Sequence, residues 1–471
     1  MKTHYKLNRS WSNLHWLLAA FFPLILLHIG CQKEFLEKKP DRSRLVPVTV
    51  EDFQAITEGE VWFTAPGVQE ISSDDFIIAD AGLFATSDLV VNAYKWSADV
   101  FASESIVSDW SVPHTQIFYA NLILEGLDKI TTGERNTPAY NSLKGTAFFQ
   151  RAFAYYGLAQ VFAAPYIPAG TNDQPGIPLR LISDLNVRYP RGTVKQTYDQ
   201  ILQDLQTALP LLPEQVLYRN RPCKAAVFAL LARIYLTMGD YVNAELYADR
   251  ALKINGQLLD YTTIKGNAID RLIPPALRNA NVEVIFYKGA VNYPFPAGSA
   301  ASTTVVGPLY TSYAADDLRK LLFFRDRGNG IFSFRGTYGG SLNVGMCTGL
   351  ATDELYLIRA ECAARRGNTD LALSDLNSLL IKRFNTGKFV PYTGTDVETV
   401  LRLVLAERRK ELICRGLRWS DLRRLNQDPR FAVELKRTVA GVEYKLPPNS
   451  NRYTFPLPND EILLGGLPQN P

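Results

Sequence analysis

The hydrophobic positions of this chain recur mostly at helical spacing. In three stretches they fall three or four residues apart, which places them on one face of an amphipathic helix with a broad buried stripe. Thr49 and Asp52 add a capping-box pattern, which predicts a short helix at Val50–Glu58. The three stretches are residues 144–162, residues 194–209 after Thr193 as N-cap, and residues 397–412 after Thr395 or Asp396.

Residues 228–252 carry the tetratricopeptide pattern almost position for position. Ala232 and Ala244 are small enough to let two antiparallel helices approach closely, and Gly239-Asp240 supplies the turn between them. Residues 356–380 repeat the pattern more weakly. Because one repeat cannot bury its apolar face alone, several must stack. We therefore predict a mostly α fold, built as a tetratricopeptide-like helical-repeat scaffold.

The predicted repeats occupy two parts of the chain, at about 88–254 and 350–426. Within the first part, helices at 114–130 and 144–162 are expected to form a further pair. The second of these is also expected to pair with 194–209, across a long inserted loop that is rich in Pro and Gly.

The region 285–345 has a different composition from the repeats. It is rich in Gly, Ser, Thr, Pro and aromatic residues, and it lacks a helical period except near Asp316–Phe324. Asn329-Gly330 between two apolar runs is typical of a β-hairpin. The sequence therefore predicts loops with a few short strands or hairpins, placed on the helical scaffold.

Charge and histidine content exclude several classes of function. The 471 residues include 51 Lys+Arg and 47 Asp+Glu, and removing Lys2, Lys6 and Arg9 of the leader leaves 48 against 47, or +1. A near-neutral body gives no electrostatic reason to expect nucleic-acid binding. Of four histidines only His114 lies beyond residue 30, which excludes histidine triads and multi-histidine metal sites. We expect no metal, cofactor or catalytic site.

The first thirty residues have the pattern of a secretory leader. A basic start precedes an apolar stretch from Leu14 to Ile29, and Gly30 stands before Cys31. The sequence around Cys31 resembles a bacterial lipoprotein box, so we expect the Cys31 thiol to be lipidated and residues 31–48 to tether the body to a membrane. The alternative is an ordinary cleaved signal peptide.

The remaining candidate chemistry favours structural roles. Adjacent carboxylates at Asp74-Asp75 and Asp316-Asp317 point apart, so turn or capping roles are expected rather than acid–base catalysis. The run Glu407–Glu411 is expected to form a partly solvated face with ion pairs at i,i+3 spacing. The four cysteines beyond the leader show no paired spacing and are expected as free thiols; they are Cys223, Cys347, Cys362 and Cys414.

Aromatic residues outside the helical periods offer a second kind of chemistry. Exposed rings have flat apolar faces that suit the C–H faces of sugars, whereas buried packing is the alternative at each position. These residues are Trp62, Phe63, Trp96, Trp110, Tyr287, Tyr293, Phe295, Tyr310, Tyr313, Phe332, Phe334 and Tyr338.

Several motifs in the same order resemble the SusD/RagB family of outer-membrane nutrient-binding lipoproteins of Bacteroidetes. The likeness covers almost the whole chain after the leader, and Arg415 departs from it because the family often has Glu there. The motifs are Cys31–Leu36, Ser73-Asp74-Asp75, Asn121–Glu125, Arg151–Tyr156, Ala229–Tyr235, Leu355–Glu361, Glu407–Leu412 followed by Gly416, Arg418-Trp419 and Asp421–Arg424, and the ending Phe455–Pro458 through Gln469–Pro471.

The resemblance implies a binding protein rather than an enzyme. Residues 49–471 are then a SusD-like domain on the cell surface, which captures oligosaccharides and delivers them to a SusC-like TonB-dependent barrel. Peptide import of the RagB type is an alternative ligand class. An extracellular glycoside hydrolase lipoprotein and a pure assembly scaffold are the rival functions.

The resemblance also implies a ligand site built from an early segment and from late loops. We expect Trp96 and Tyr293 to provide stacking faces for a carbohydrate. Asp74, Asn292 and Arg335 are expected to hydrogen-bond its hydroxyl groups, and Tyr338 completes the predicted site.

Overall fold

The helices predicted from hydrophobic spacing are present and include most of the long helices of the fold. The computed structural model describes residues 47–131, 133–265, 273–274, 281–294, 302–339 and 346–471. The leader, Cys31 and most of the predicted tether lie outside this part. The described α-helices are α1 (Val50–Ile56), α2 (Val68–Ser72), α3 (Asp80–Leu83), α4 (Asp88–Tyr94), α5 (Ser108–Leu127), α6 (Pro138–Phe162), α7 (Val194–Ala208), α8 (Lys224–Met238), α9 (Tyr241–Ile254), α10 (Gly307–Ser312), α11 (Leu318–Phe323), α12 (Thr352–Arg365), α13 (Thr369–Leu380), α14 (Val397–Glu411), α15 (Arg418–Leu425) and α16 (Asn459–Leu463).

The long helices pack as consecutive pairs, which confirms the helical-repeat prediction. Helix α6 packs against both α5 and α7, α8 packs against α9, and α12 packs against α13. Helix α9 also packs against α12, so the early and late repeats are joined directly. None of the helices in the described part is long and apolar enough to cross a membrane.

The turn between α8 and α9 forms as its sequence predicts. Gly239 ends α8 with a φ of 74°, a left-handed conformation that favours glycine. Asp240 begins α9, where its side chain accepts a hydrogen bond of 3.1 Å from the Asn243 backbone N–H. Ala232 and Ala244 are fully buried between the helices.

Two other predicted helix starts are confirmed, and one helix end differs. Thr49 and Asp52 form the capping box of α1, which ends at Ile56 rather than at Glu58. Between the two N-caps considered for α14, the structure has Asp396, whose carboxylate accepts a hydrogen bond of 2.8 Å from the Thr399 backbone N–H.

The described strands are short and pair two by two. They are β1 (Thr64–Ala65), β2 (Phe76–Ile78), β3 (Pro175–Pro178), β4 (Arg191–Thr193), β5 (Val284–Phe286), β6 (Gly289–Ala290), β7 (Thr303–Val305), β8 (Phe324–Asp326), β9 (Phe332–Phe334), β10 (Leu350–Ala351), β11 (Leu435–Val439) and β12 (Val442–Leu446). The predicted hairpin is confirmed: β8 and β9 pair antiparallel, and Asn329 and Gly330 have φ values of 51° and 78° in the turn. The other pairs are β1–β6, which is parallel, and β2–β7, β3–β4, β5–β10 and β11–β12.

The Glu407–Glu411 run is buried except at the half-buried Arg409, so the predicted partly solvated face is wrong for its other four residues. Arg319 from α11 is fully buried and reaches Glu407 at 2.7 Å and Glu411 at 3.0 Å. Arg408 pairs with Asp421 at 2.9 Å rather than with Glu411, while Glu407 does pair with Lys410 as predicted. A helical charge pattern alone does not reveal Arg319 and Asp421 as partners, because they lie on other helices, α11 and α15.

Candidate functional site

Trp96 is a core residue, and the prediction that it offers an exposed stacking face is wrong. Its ring is 3% exposed, and its Nε1 donates a hydrogen bond of 2.9 Å to the Ser72 carbonyl. The Arg437 guanidinium from β11 lies 4.5 Å from the ring centroid. Trp96 follows α4 in a left-handed turn with a φ of 55°, and its ring packs into the core. Absence of a helical period therefore marks a turn here, not exposure.

Tyr293 and Asn292 are more accessible than Trp96. Asn292 is exposed, and Tyr293 is half-buried with its hydroxyl donating to the Asp109 carboxylate. Asp109 also accepts the Gly67 and Val68 backbone N–H groups at 2.6 and 2.9 Å. Burial raises the pKa of Asp109, although these hydrogen bonds oppose the shift. The Tyr293 hydroxyl thus fixes its loop to α2 and α5.

Arg335 and Tyr338 are buried and serve to hold the late loops in place. The Arg335 side chain donates a hydrogen bond of 2.6 Å to the Leu321 carbonyl. The Tyr338 hydroxyl lies 2.9 Å from carboxylate oxygens of Glu283 and Asp353. Because both side chains are buried, the expectation that Arg335 hydrogen-bonds a sugar and the expectation that Tyr338 is part of the ligand site are wrong.

Asp74 is committed to ion pairs with two arginines. Its carboxylate lies 2.6 Å from Arg418 and 3.0 Å from Arg409. Burial acts to raise the pKa of Asp74, but the two guanidinium groups outweigh it and hold the pKa below its ordinary range. The structure therefore does not bring the six predicted residues into one open site, because three are interior and Asp74 is paired.

A different surface combines half-buried aromatic rings, above the buried Trp110 ring, with polar groups. A cavity of about 480 Å³ lies between α5, residues 178–189 and residues 461–467, and we name it the helix groove. Trp110, His114 and Phe118 line it from α5. They stand four residues apart, so one stripe of the helix presents all three. Sequence reasoning missed this stripe because it treated Trp110 as a loop residue, whereas the i, i+4, i+8 spacing was the signal available.

The rings at the base of the groove hold each other in place. The Trp110 and His114 ring centroids are 4.3 Å apart, and Trp110 Nε1 donates a hydrogen bond of 2.9 Å to Glu461. His114 Nδ1 lies 2.9 Å from the Trp110 carbonyl, which can only accept, so Nδ1 carries the proton. Burial lowers the His114 pKa to about 4. The ring is therefore neutral near pH 7, with Nε2 as a hydrogen-bond acceptor.

Residues 178–189 form the opposite wall of the groove. The half-buried Tyr189 ring faces the Arg180 guanidinium, whose central carbon is 5.6 Å from the ring centroid. Arg180 also donates a long hydrogen bond of 3.4 Å to the Val187 carbonyl, and exposed Arg188 lines the same wall. Rings, guanidinium donors and two acceptors together suit a polyhydroxylated ligand.

A second cavity beside the Trp96 backbone is less suited to a stacked ligand. It has a volume of about 560 Å³ and polar lining from residues such as Asp99, Asn451 and Arg452. Its two aromatic residues, Trp96 and Phe455, are both buried in the core, whereas the helix groove has half-buried rings at Phe118 and Tyr189 besides the buried Trp110. The helix groove is therefore the better candidate.

The described part of the chain offers no group of three or more His, Cys, Asp or Glu side chains arranged to hold a metal ion. Cys223, Cys347, Cys362 and Cys414 are all free and buried. In such surroundings a thiol packs as a small hydrophobic group.

Two family models match the chain on either side of the late loops. One, described as "Starch-binding associating with outer membrane", matches residues 34–236, and the other, described as the SusD family, matches residues 352–471. The chain belongs to the SusD/RagB family. The matched SusD/RagB segments include every element that lines the helix groove, whereas the predicted ligand-loop region 285–345 lies between them.

One relative and several solved structures are similar to this chain. A SusD-like protein of Formosa agariphila is 33% identical over 136 residues, which are 29% of this chain and a quarter (25%) of that relative's length. A SusD superfamily structure from Bacteroides thetaiotaomicron has a TM-score of 0.72 at 20% identity, covering 90% of this chain and 100% of that one. A putative sugar binding protein from Bacteroides vulgatus has a TM-score of 0.70 at 21% identity, covering 91% and 99%. The solved structures establish a shared fold.

Proposed function

We propose that this protein is a cell-surface lipoprotein that captures oligosaccharides in the helix groove and delivers them to a SusC-like TonB-dependent barrel. Membership of the SusD/RagB family supports the binding role, since one matching model is described as starch-binding and associated with the outer membrane. The similar structure from Bacteroides vulgatus, which is described as a sugar binding protein, supports the ligand class.

The observation that carries the proposal is the aromatic stripe of α5 opposite Tyr189. Phe118 and Tyr189 are half-buried, so each keeps part of its ring open to the cavity. Glu461 and His114 Nε2 supply acceptors for hydroxyl groups near the rings. Stacking plus a few solvent-competed hydrogen bonds corresponds to dissociation constants on the order of micromolar to millimolar.

Calorimetry with a panel of oligosaccharides and peptides tests the ligand class. We expect at least one oligosaccharide to bind the purified protein. Binding of peptides alone would instead support the RagB-like alternative. The same mixtures are assayed for new reducing ends, since their appearance would identify a hydrolase rather than a binding protein.

The anchor is proposed from the leader sequence and the family. Cys31→Ser is expected to abolish acylation and to release the protein from membranes, because the thiol is the acceptor of the lipid. Metabolic labelling with a fatty acid and membrane fractionation measure this. Continued lipid incorporation in the variant would contradict the assignment of Cys31.

The barrel partner is proposed from the family alone. Gentle detergent extraction of a protein tagged after Pro471 is expected to recover a large β-barrel transporter. Recovery of the tagged protein by itself, under conditions that preserve other outer-membrane complexes, would contradict delivery to a barrel.

A further inference from the structure

Two arginines line the helix groove without a carboxylate partner. Many buried or half-buried arginines in the described part of the chain are paired with carboxylates, as Arg418 is with Asp74 at 2.6 Å and Arg359 with Asp375 at 2.7 Å. Within the described ranges, by contrast, neither Arg180 nor Arg188 has a carboxylate at ion-pair distance, and both line the cavity.

The lining of the groove is correspondingly positive. Glu461 is the acid among the lining residues, and it already accepts the Trp110 indole N–H. His114 is neutral near pH 7 and adds no charge. Two guanidinium groups against one carboxylate leave a formal charge of +1 in an aromatic cavity.

We infer that the ligand of the helix groove is an acidic oligosaccharide, carrying carboxylate or sulfate groups along its sugar rings. This inference rests on the proposed function and narrows its substrate class. An arginine fork forms two parallel hydrogen bonds to a carboxylate or a sulfate, which a neutral hydroxyl cannot match. Tyr189 and Phe118 take the apolar faces of the sugar rings, and Arg180 and Arg188 take the anionic groups.

The two guanidinium groups differ in how they are held. Arg180 is oriented by the Tyr189 ring and the Val187 carbonyl, so little side-chain freedom is lost when it meets an anion. Arg188 is exposed and makes no hydrogen bond within the described residues, so its removal should leave the fold intact. Arg188→Gln is therefore the cleaner probe.

The experiment compares three ligands of similar length by calorimetry: a neutral maltooligosaccharide, an oligogalacturonate and a sulfated galactan oligosaccharide. The proteins are wild type, Arg188→Gln and Arg250→Gln. The last is a matched control that removes an exposed arginine from α9, away from the groove. Carboxylate and sulfate ligands in separate arms show which anion the groove accepts.

We expect an acidic ligand to bind wild type more tightly than the neutral one. Its affinity should fall about ten- to hundredfold in Arg188→Gln, the loss typical of a charge-assisted hydrogen bond, and stay unchanged in Arg250→Gln. Raising the salt concentration from about 0.05 to about 0.5 M should also weaken the binding of the acidic ligand.

Two results would overturn the inference in different ways. Equal or tighter binding of the neutral oligosaccharide, unaffected by Arg188→Gln, would refute an acidic substrate and leave the proposed glycan-binding function intact. If no oligosaccharide binds in any arm and a peptide binds instead, the proposed function is refuted, and the inference that rests on it is refuted as well.

Discussion

Glu70 on α2 is a fully buried acid beside a second carboxylate. Neither of its carboxylate oxygens has a hydrogen bond of ordinary length within the described residues. Burial raises the Glu70 pKa to about 8, nearby Asp75 adds to the shift, and the Gly416 and Cys414 backbone groups oppose it only in part. Glu70 is therefore protonated in the folded protein at pH 7.

Glu70→Gln is expected to stabilise the protein increasingly as the pH rises. In the unfolded chain Glu70 ionises near its ordinary pKa of 4.5, whereas folding keeps it protonated up to about pH 8. Its contribution to stability is thus complete below pH 4.5 and is lost as the pH rises towards 8. Urea denaturation should show the gain from Glu70→Gln growing, by an amount on the order of a few kcal/mol, between about pH 5 and 8.5. Glu214→Gln, at an exposed position, is the control. An equal gain in the free energy of unfolding from Glu70→Gln at both pH values would contradict this account.

Arg319 illustrates the cost of opening a buried ion network. Arg319→Met removes the guanidinium that Asp317, Glu407 and Glu411 share, and it leaves their charges in the interior. Removing one partner of a buried pair typically costs about 3–5 kcal/mol. We expect a fall of that size in the free energy of unfolding.

The matched control for Arg319 is a surface pair. Lys195→Met breaks an exposed ion pair with Asp199 on α7 and should leave the denaturation midpoint almost unchanged. Similar effects of the two substitutions would mean that the Arg319 network contributes no more than a solvated contact.

At the scale of the helices, close packing in the α8–α9 pair depends on small side chains. Ala244→Leu adds three carbon atoms at a fully buried position, and overpacking of this kind typically costs about 1–3 kcal/mol. The melting temperature should fall clearly. Val242→Leu on the same helix, at a position that is 69% exposed, should leave it unchanged. An unaltered melting curve for Ala244→Leu would show that the repeat does not pack as described.

Local sequence signals predicted the elements well because the relevant interactions are local. The capping box of Thr49 and Asp52 and the turn at Gly239-Asp240 both act within four residues. The burial of Trp96 escaped prediction because Arg437, which covers its ring, comes from the other end of the chain. Tyr338 was misjudged for the same reason, since its partners Glu283 and Asp353 belong to separate segments.

At the scale of the whole molecule, the helix groove brings together parts of the chain that no local pattern connects. Trp110 on α5 and Glu461 on α16 are 351 residues apart and share a hydrogen bond. The i, i+4, i+8 stripe of α5 was readable in the sequence, but its wall of Arg180 and Tyr189 was not. The family assignment was predicted correctly from motif order, whereas the site required the three-dimensional arrangement.

The most direct test of the central claim compares two tyrosine variants against an oligosaccharide that binds wild type. Tyr189→Ala removes a half-buried ring from the groove, and Tyr218→Ala removes an exposed ring elsewhere. Calorimetry should show the affinity falling about tenfold or more for Tyr189→Ala, or about 1.4 kcal/mol, and unchanged for Tyr218→Ala, with both proteins folded by circular dichroism. Unchanged affinity for Tyr189→Ala would contradict the account and place the ligand outside the helix groove.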